Sequence, residues 1–150
     1  MAFLIGFFAG LRSLTAPAAV AWANRLNWLK VEGPLALIGS GLSVIILTVL
    51  AVTELVFDKL PNTPSRTAPP GLIARIVTGG VCGACVALSG SQSAFLGAAL
   101  GSVGGVTGCF VGYLARTRIV KALRVPDIYV ALLEDLIAVA GSLWIVSHFS

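Results

Sequence analysis

Charge is scarce in this chain: of 150 residues only 11% are Asp, Glu, Lys or Arg. A soluble domain of ordinary composition carries about 25%, so the soluble globular class is excluded at the outset. Histidine is scarcer still, with His148 alone near the end of the sequence, read as a solvated end residue. That leaves no histidine metal motif and no Ser-His-Asp set, and no phosphate-binding glycine loop is present either. No enzyme, metal or cofactor is therefore expected. The net charge of +4 and pI near 9.4 raise the question of nucleic acid. The basic residues, however, form no stripe with interleaved aromatics and stand between apolar runs, so no nucleic-acid partner is expected. A cleavable signal peptide fits poorly too, because no Lys or Arg precedes the first apolar run and Arg12 falls inside it.

What is abundant is apolar surface: 57% of the residues are hydrophobic and the mean hydropathy is +0.98. At roughly 20 residues per crossing, the length accommodates about five membrane elements and little else. The expectation is one all-α, polytopic transmembrane bundle over residues 1–150. The first element, Phe3 to about Trp22, is interrupted from Arg12 to Pro17, so it is broken or re-entrant. The second runs from Pro34 to Asp58, the third from about Leu72 to Leu88, the fourth from about Ser93 to Ala115, and the fifth from Ile128 to Ser147. Trp22, Trp28, Tyr129 and Trp144 stand near these ends, where interfacial aromatics belong.

Connections at one face hold seven basic residues, Lys59, Arg66, Arg75, Arg116, Arg118, Lys121 and Arg124, against Arg25 and Lys30 at the other. The seven-residue face is predicted cytoplasmic. If the first element spans, the N-terminus is cytoplasmic; if it re-enters, both ends lie outside.

Glycine is patterned. Gly97, Gly101 and Gly105 recur at intervals of four, as do Gly104, Gly108 and Gly112, and the third helix adds Gly79, Gly80 and Gly83. Small residues let helix backbones approach closely in lipid, so these stripes predict tight helix contact, within the chain or between subunits of a homo-oligomer. Cys82, Cys85 and Cys109 stand among Gly and Ala and read as small packing residues.

The ionisable residues inside the apolar runs carry the functional signal. At about 1.5 Å per helical residue, Arg12 lies roughly 14 Å beyond Phe3, and Glu134 and Asp135 about 10 Å beyond Ile128. Glu54 and Asp58 are one turn apart late in the second element and Arg75 is early in the third. All fall in the half nearer the basic face, though they come from four elements. Buried charges at about 2.5–3.5 kcal/mol each should face one another or water. Arg12 and Arg75 against Glu54, Glu134 and Asp135 leave one acid over, to be protonated or to hold a cation.

The stretch "RSLTAP" from Arg12 has an echo in "SRTAPP" from Ser65. Each sets Arg and hydroxyl residues before Ala-Pro at the start of an apolar run, with Thr15 and Thr67 as expected N-caps. A helix N-terminus with Arg and Ser or Thr beside it favours an anion, which nominates Arg12, Ser13, Thr15, Arg66 and Thr67.

The stretches "GLRSLTAPA", "ELVFDKLPNTPSRTAPPGLIAR" and "VPDIYVALLEDLIA" resemble a bacterial family of small integral membrane proteins classified as a domain of unknown function, with R-S-L-T-A-P and D-K-L-P-x-T-P-S-R-T-A-P-P motifs. The resemblance covers nearly the whole chain and implies an inner-membrane, multi-pass protein without naming a substrate. It draws attention to Arg12, Glu54, Asp58, Arg66, Glu134 and Asp135. The leading expectation is a small transporter or channel for an ion or a small polar solute, anionic solutes included. The alternative is a non-catalytic membrane scaffold binding a partner protein or lipid. A membrane enzyme acting on a lipid phosphate through Asp58 or Asp135 ranks below both.

Overall fold

A computed structural model of the chain describes residues 1–57, 68–124 and 126–149. All secondary structure among them is helical: α1 (Ala2–Leu11), α2 (Thr15–Arg25), a 3-10 segment (Gly33–Gly39), α3 (Gly41–Phe57), α4 (Pro69–Ser89), α5 (Ala94–Leu123) and α6 (Asp127–Ser147). Helices α4, α5 and α6 are each long and apolar enough to cross a membrane, and the 3-10 segment with α3 forms a fourth candidate, bent by 62°.

The first element is broken and folds back as a helical hairpin within the bundle. Met1 and Ala2 share a cavity with Gly90, Gln92 and Phe149, at the end of the bundle that holds the α4–α5 turn. From there α1 runs alongside α5 in the same direction, Gly6 beside Gly101 and Gly10 beside Gly105. After the break at Arg12, α2 returns. Its C-terminus closes in a Schellman arrangement: the Trp28 N–H donates to the Ala23 carbonyl at 2.9 Å and the Asn27 N–H to Asn24 at 3.1 Å, with Asn27 left-handed at φ 60°. The following segment ends where α1 began, the Lys30 N–H donating to Ser89 Oγ at 3.1 Å. Leu29 and Val31 then join Ile5, Val20, Cys82, Val86 and Ile145 in the apolar core. The hairpin tip thus points into the bundle toward the opposite end, where the last turns of α5 carry Arg118 and Lys121 and its C-cap is Arg124.

Two boundaries differ from expectation. The second element is not one helix from Pro34, because Gly39, Ser40 and Gly41 break it: Ser40 is extended (φ −63°, ψ 148°) and its Oγ accepts from the Ser43 N–H at 3.2 Å, capping α3. The fourth element does not stop at Ala115. Nothing from Arg116 to Leu123 disfavours helix, and α5 continues until Arg124 turns left-handed (φ 52°) ahead of Pro126.

Both glycine stripes are covered within the chain. Cβ atoms on Gly97, Gly101 and Gly105 would collide with the backbone of α4 at Gly83, Gly79 and Arg75, whereas Gly104 and Gly108 lie against α1 at Phe3 and Phe7. The stripes therefore supply no subunit interface; they hold α1 and α4 on two sides of α5.

Candidate functional site: the hairpin tip

The tip of the α1–α2 hairpin places three residues of irregular backbone inside the bundle. Such a break strands the last carbonyls of one helix and the first N–H groups of the next, and unsatisfied backbone is costly in lipid. Oppositely charged side chains from two other helices meet these groups. Arg75 of α4 donates its Nε–H to the Gly10 carbonyl at 3.0 Å and an Nη1–H to Gly71 of its own helix at 3.0 Å. Glu54, in the last turn of α3, accepts from the Ser13 N–H and the Leu14 N–H, each at 2.9 Å, and from the Ser13 hydroxyl at 2.5 Å. A cation at the carbonyl end of α1 and an anion at the amide end of α2 also complement both helix dipoles.

Arg12, between them, is extended (φ −140°, ψ 115°) and fully buried. Its guanidinium forms an ion pair with Asp135 of α6. Asp135 is eight residues into α6, about 12 Å from its start. Next to it Glu134 stands 3.9 Å from the Arg116 guanidinium of α5. Arg116 also grips Asp127, in the first turn of α6, through both carboxylate oxygens, with Nε to Oδ1 at 2.7 Å. Arg12, Arg75, Glu134 and Asp135 are all buried. Charges from α3, α4, α5 and α6 thus converge on one break.

A family model matches residues 1–148. The chain belongs to the family described as a domain of unknown function, DUF4126. No curated protein and no solved structure matches it. Membership bears out the resemblance at the level of the family and leaves the chemistry to the site itself.

Of the nominated residues, Arg12, Ser13, Glu54, Arg75, Glu134 and Asp135 are brought together. Asp58, Arg66 and Thr67 lie outside the described residues. Thr15 is not the N-cap expected of it. It is the first residue of α2, Leu14 holds the cap position without a side-chain bond, and Glu54 does the capping. Thr15 Oγ1 is buried with no hydrogen-bond partner among the described residues, as is Ser142 Oγ of α6. The anion at the α2 N-terminus is the chain's own carboxylate.

Arg116 is not among the residues nominated from sequence, because the fourth element was expected to end at about Ala115, whereas α5 continues to Leu123. The signal was there: 116 is the next position of the Gly104, Gly108, Gly112 row, so it extends the α5 face that meets α1 and α6. Arg116 adds a third guanidinium to the cluster, shared between Asp127, which it grips with both carboxylate oxygens, and Glu134 at 3.9 Å.

Proposed function

We propose that the protein is a small transporter or channel for an ion or small polar solute, in a bacterial inner membrane with its basic connections cytoplasmic. One observation carries this reading: a broken, re-entrant hairpin whose tip lies at the depth where ionisable residues of four other helices meet. Discontinuous helices at depth are how transporters build solute and coupling-ion sites, because the break frees backbone groups that a solute and its coupling ion then use. Here Glu54 occupies the α2 amides, so an anionic solute binds there as Glu54 leaves, and Arg12 and Ser13 are its nearest side-chain donors. Glu134 and Asp135 relay protons or hold the coupling cation. A homo-oligomer belongs to this reading, since a hairpin and four spans barely enclose a path, but its interface uses faces other than the glycine stripes.

The test is flux in liposomes holding the purified protein, with a pH-sensitive dye for protons and chloride as the first anion. Arg12→Ala and Glu134→Gln are expected to abolish it, with Glu134→Gln retaining the wild-type melting profile. Undiminished flux in both variants defeats these roles.

A second reading is favoured by the internal matching of the charges: each guanidinium of the cluster engages a carboxylate or carbonyl of its own chain. In that case the cluster fixes the bundle and the protein is a scaffold for a partner protein or lipid. It predicts loss of stability on neutral replacement, no flux in the wild type, and a partner recovered by gentle extraction.

A further inference from the structure

Helix α5 outruns its neighbours. Its 30 residues span about 45 Å, against a hydrocarbon core of about 30 Å; α4 and α6 have 21 residues each. The overhang carries Arg116, Arg118, Lys121 and Arg124. Arg116 is taken up by Asp127 and Glu134, whereas Arg118, Lys121 and Arg124 are exposed and pair with no acid among the described residues.

Directly below the overhang, α5 and α6 part. The gap is a groove of about 210 Å³ with Phe7 and Leu11 of α1 among its lining, and Val111 and Ala115 on one side facing Leu133 and Ile137 on the other. Val111, Leu133 and Ile137 are exposed along it, so the groove lies open to the surrounding lipid. Arg118 lies seven residues past Val111 and three past Ala115, on the same row of α5. It therefore stands over the end of the groove, roughly 10 Å along the helix from Val111.

We infer that this groove and overhang form a binding site for one anionic phospholipid of the leaflet at the basic end. An acyl chain lies between α5 and α6 and the phosphate sits on Arg118, supported by Lys121 and Arg124. Charge complementarity selects the occupant. The walls are apolar apart from Glu134 and Arg116, which stand 3.9 Å from each other. The cations at the rim pair with no acid among the described residues, and basic pockets between membrane helices are suited to anionic headgroups. A zwitterionic lipid fills the same walls but gains little from the rim. The groove shares Glu134 and Arg116 with the polar cluster but not the Arg12–Asp135 pair, and lipid retention is read without any flux, so its failure is distinguishable from failure of the transport reading.

The experiment is native mass spectrometry of the protein released from mild detergent with equal amounts of phosphatidylglycerol and phosphatidylcholine. The wild type is expected to retain phosphatidylglycerol in preference. Arg118→Ala and Arg118→Ala with Arg124→Ala should lower that preference by about fivefold per basic residue removed. Ala115→Phe, on an exposed position of the wall, should reduce retention of both lipids, and Arg25→Ala at the far end should change neither. Equal retention of the two lipids by the wild type, or a preference unmoved by Arg118→Ala, overturns the site. Retention unmoved by Ala115→Phe overturns the groove as the acyl-chain seat.

Discussion

Glu54 and Ser13 are 41 residues apart in sequence and joined by two hydrogen bonds, one from the Ser13 N–H and one from its hydroxyl. That contact lets a helix begin inside the bundle. The amides of Ser13 and Leu14 point at a half-buried carboxylate, while Arg75 holds the Gly10 carbonyl on the other side of the break. The tip is thus a folded polar unit whose parts come from α1, α2, α3 and α4.

Removal of the Glu54 side chain should therefore loosen the hairpin. Hydrogen bonds to a charged group contribute about 1.5–3 kcal/mol each, and some of that is recovered as the amides relax toward other partners. Glu54→Ala is expected to lower unfolding stability in detergent by about 2–3 kcal/mol and Glu54→Gln by about 1 kcal/mol. Denaturant titration followed by far-ultraviolet circular dichroism measures both. An Ala variant as stable as the wild type rejects the capping role.

Arg12 and Asp135 should behave as a coupled pair. Removing one partner of a buried ion pair leaves an uncompensated charge and costs about 3–5 kcal/mol, a large part of a typical total of about 5–15 kcal/mol. Arg12→Met and Asp135→Leu are each expected to be strongly destabilising, and the double variant to recover much of the loss. Additive losses in this double-mutant cycle contradict direct pairing.

How far the sequence disclosed this arrangement depends on the residue. Arg12, Glu54, Arg75, Glu134 and Asp135 were visible because charge in an apolar run is expensive and has few innocent explanations. The break was visible because Arg12, Ser13 and Pro17 interrupt helix and hydropathy together. Ser40 was obscured, since Gly and Ser are tolerated in membrane helices and the apolar run reads through them. Arg116 was obscured because a charge cluster after an apolar run resembles a connection, and only its register with Gly112 places it on a helix face. The capping of α2 by Glu54 was beyond reach: it depends on which helix lies opposite the break, a long-range fact that local pattern does not encode.

Close backbone contact gives the glycines contrasting sensitivities. A Cβ at Gly101 would fall on the Gly79 carbonyl and beside Gly83, where no flexible side chain can yield. Gly101→Ala is expected to force α4 and α5 apart and to destabilise by about 1–3 kcal/mol. Gly41 is also helical, and the nearest atom to its added Cβ is the Arg25 Nη1 at 3.9 Å. Gly41→Ala should be neutral or stabilising by up to about 1 kcal/mol. Equal melting temperatures for the two variants contradict the packing described here.

The re-entrant path fixes a topology that labelling resolves. Were α1 and α2 a single crossing, a tag placed before Met1 would lie on the same side as Arg118 and across the membrane from Ser91. With the hairpin, Met1 and the α4–α5 turn share one end of the bundle, so a cysteine in such a tag and Ser91→Cys should react with an impermeant maleimide from the same side. Arg118→Cys should react from the other. The native Cys82, Cys85 and Cys109 are buried and give a low background. Labelling of the tag together with Arg118→Cys, and apart from Ser91→Cys, requires the first element to cross the membrane and dismantles the site built on its tip.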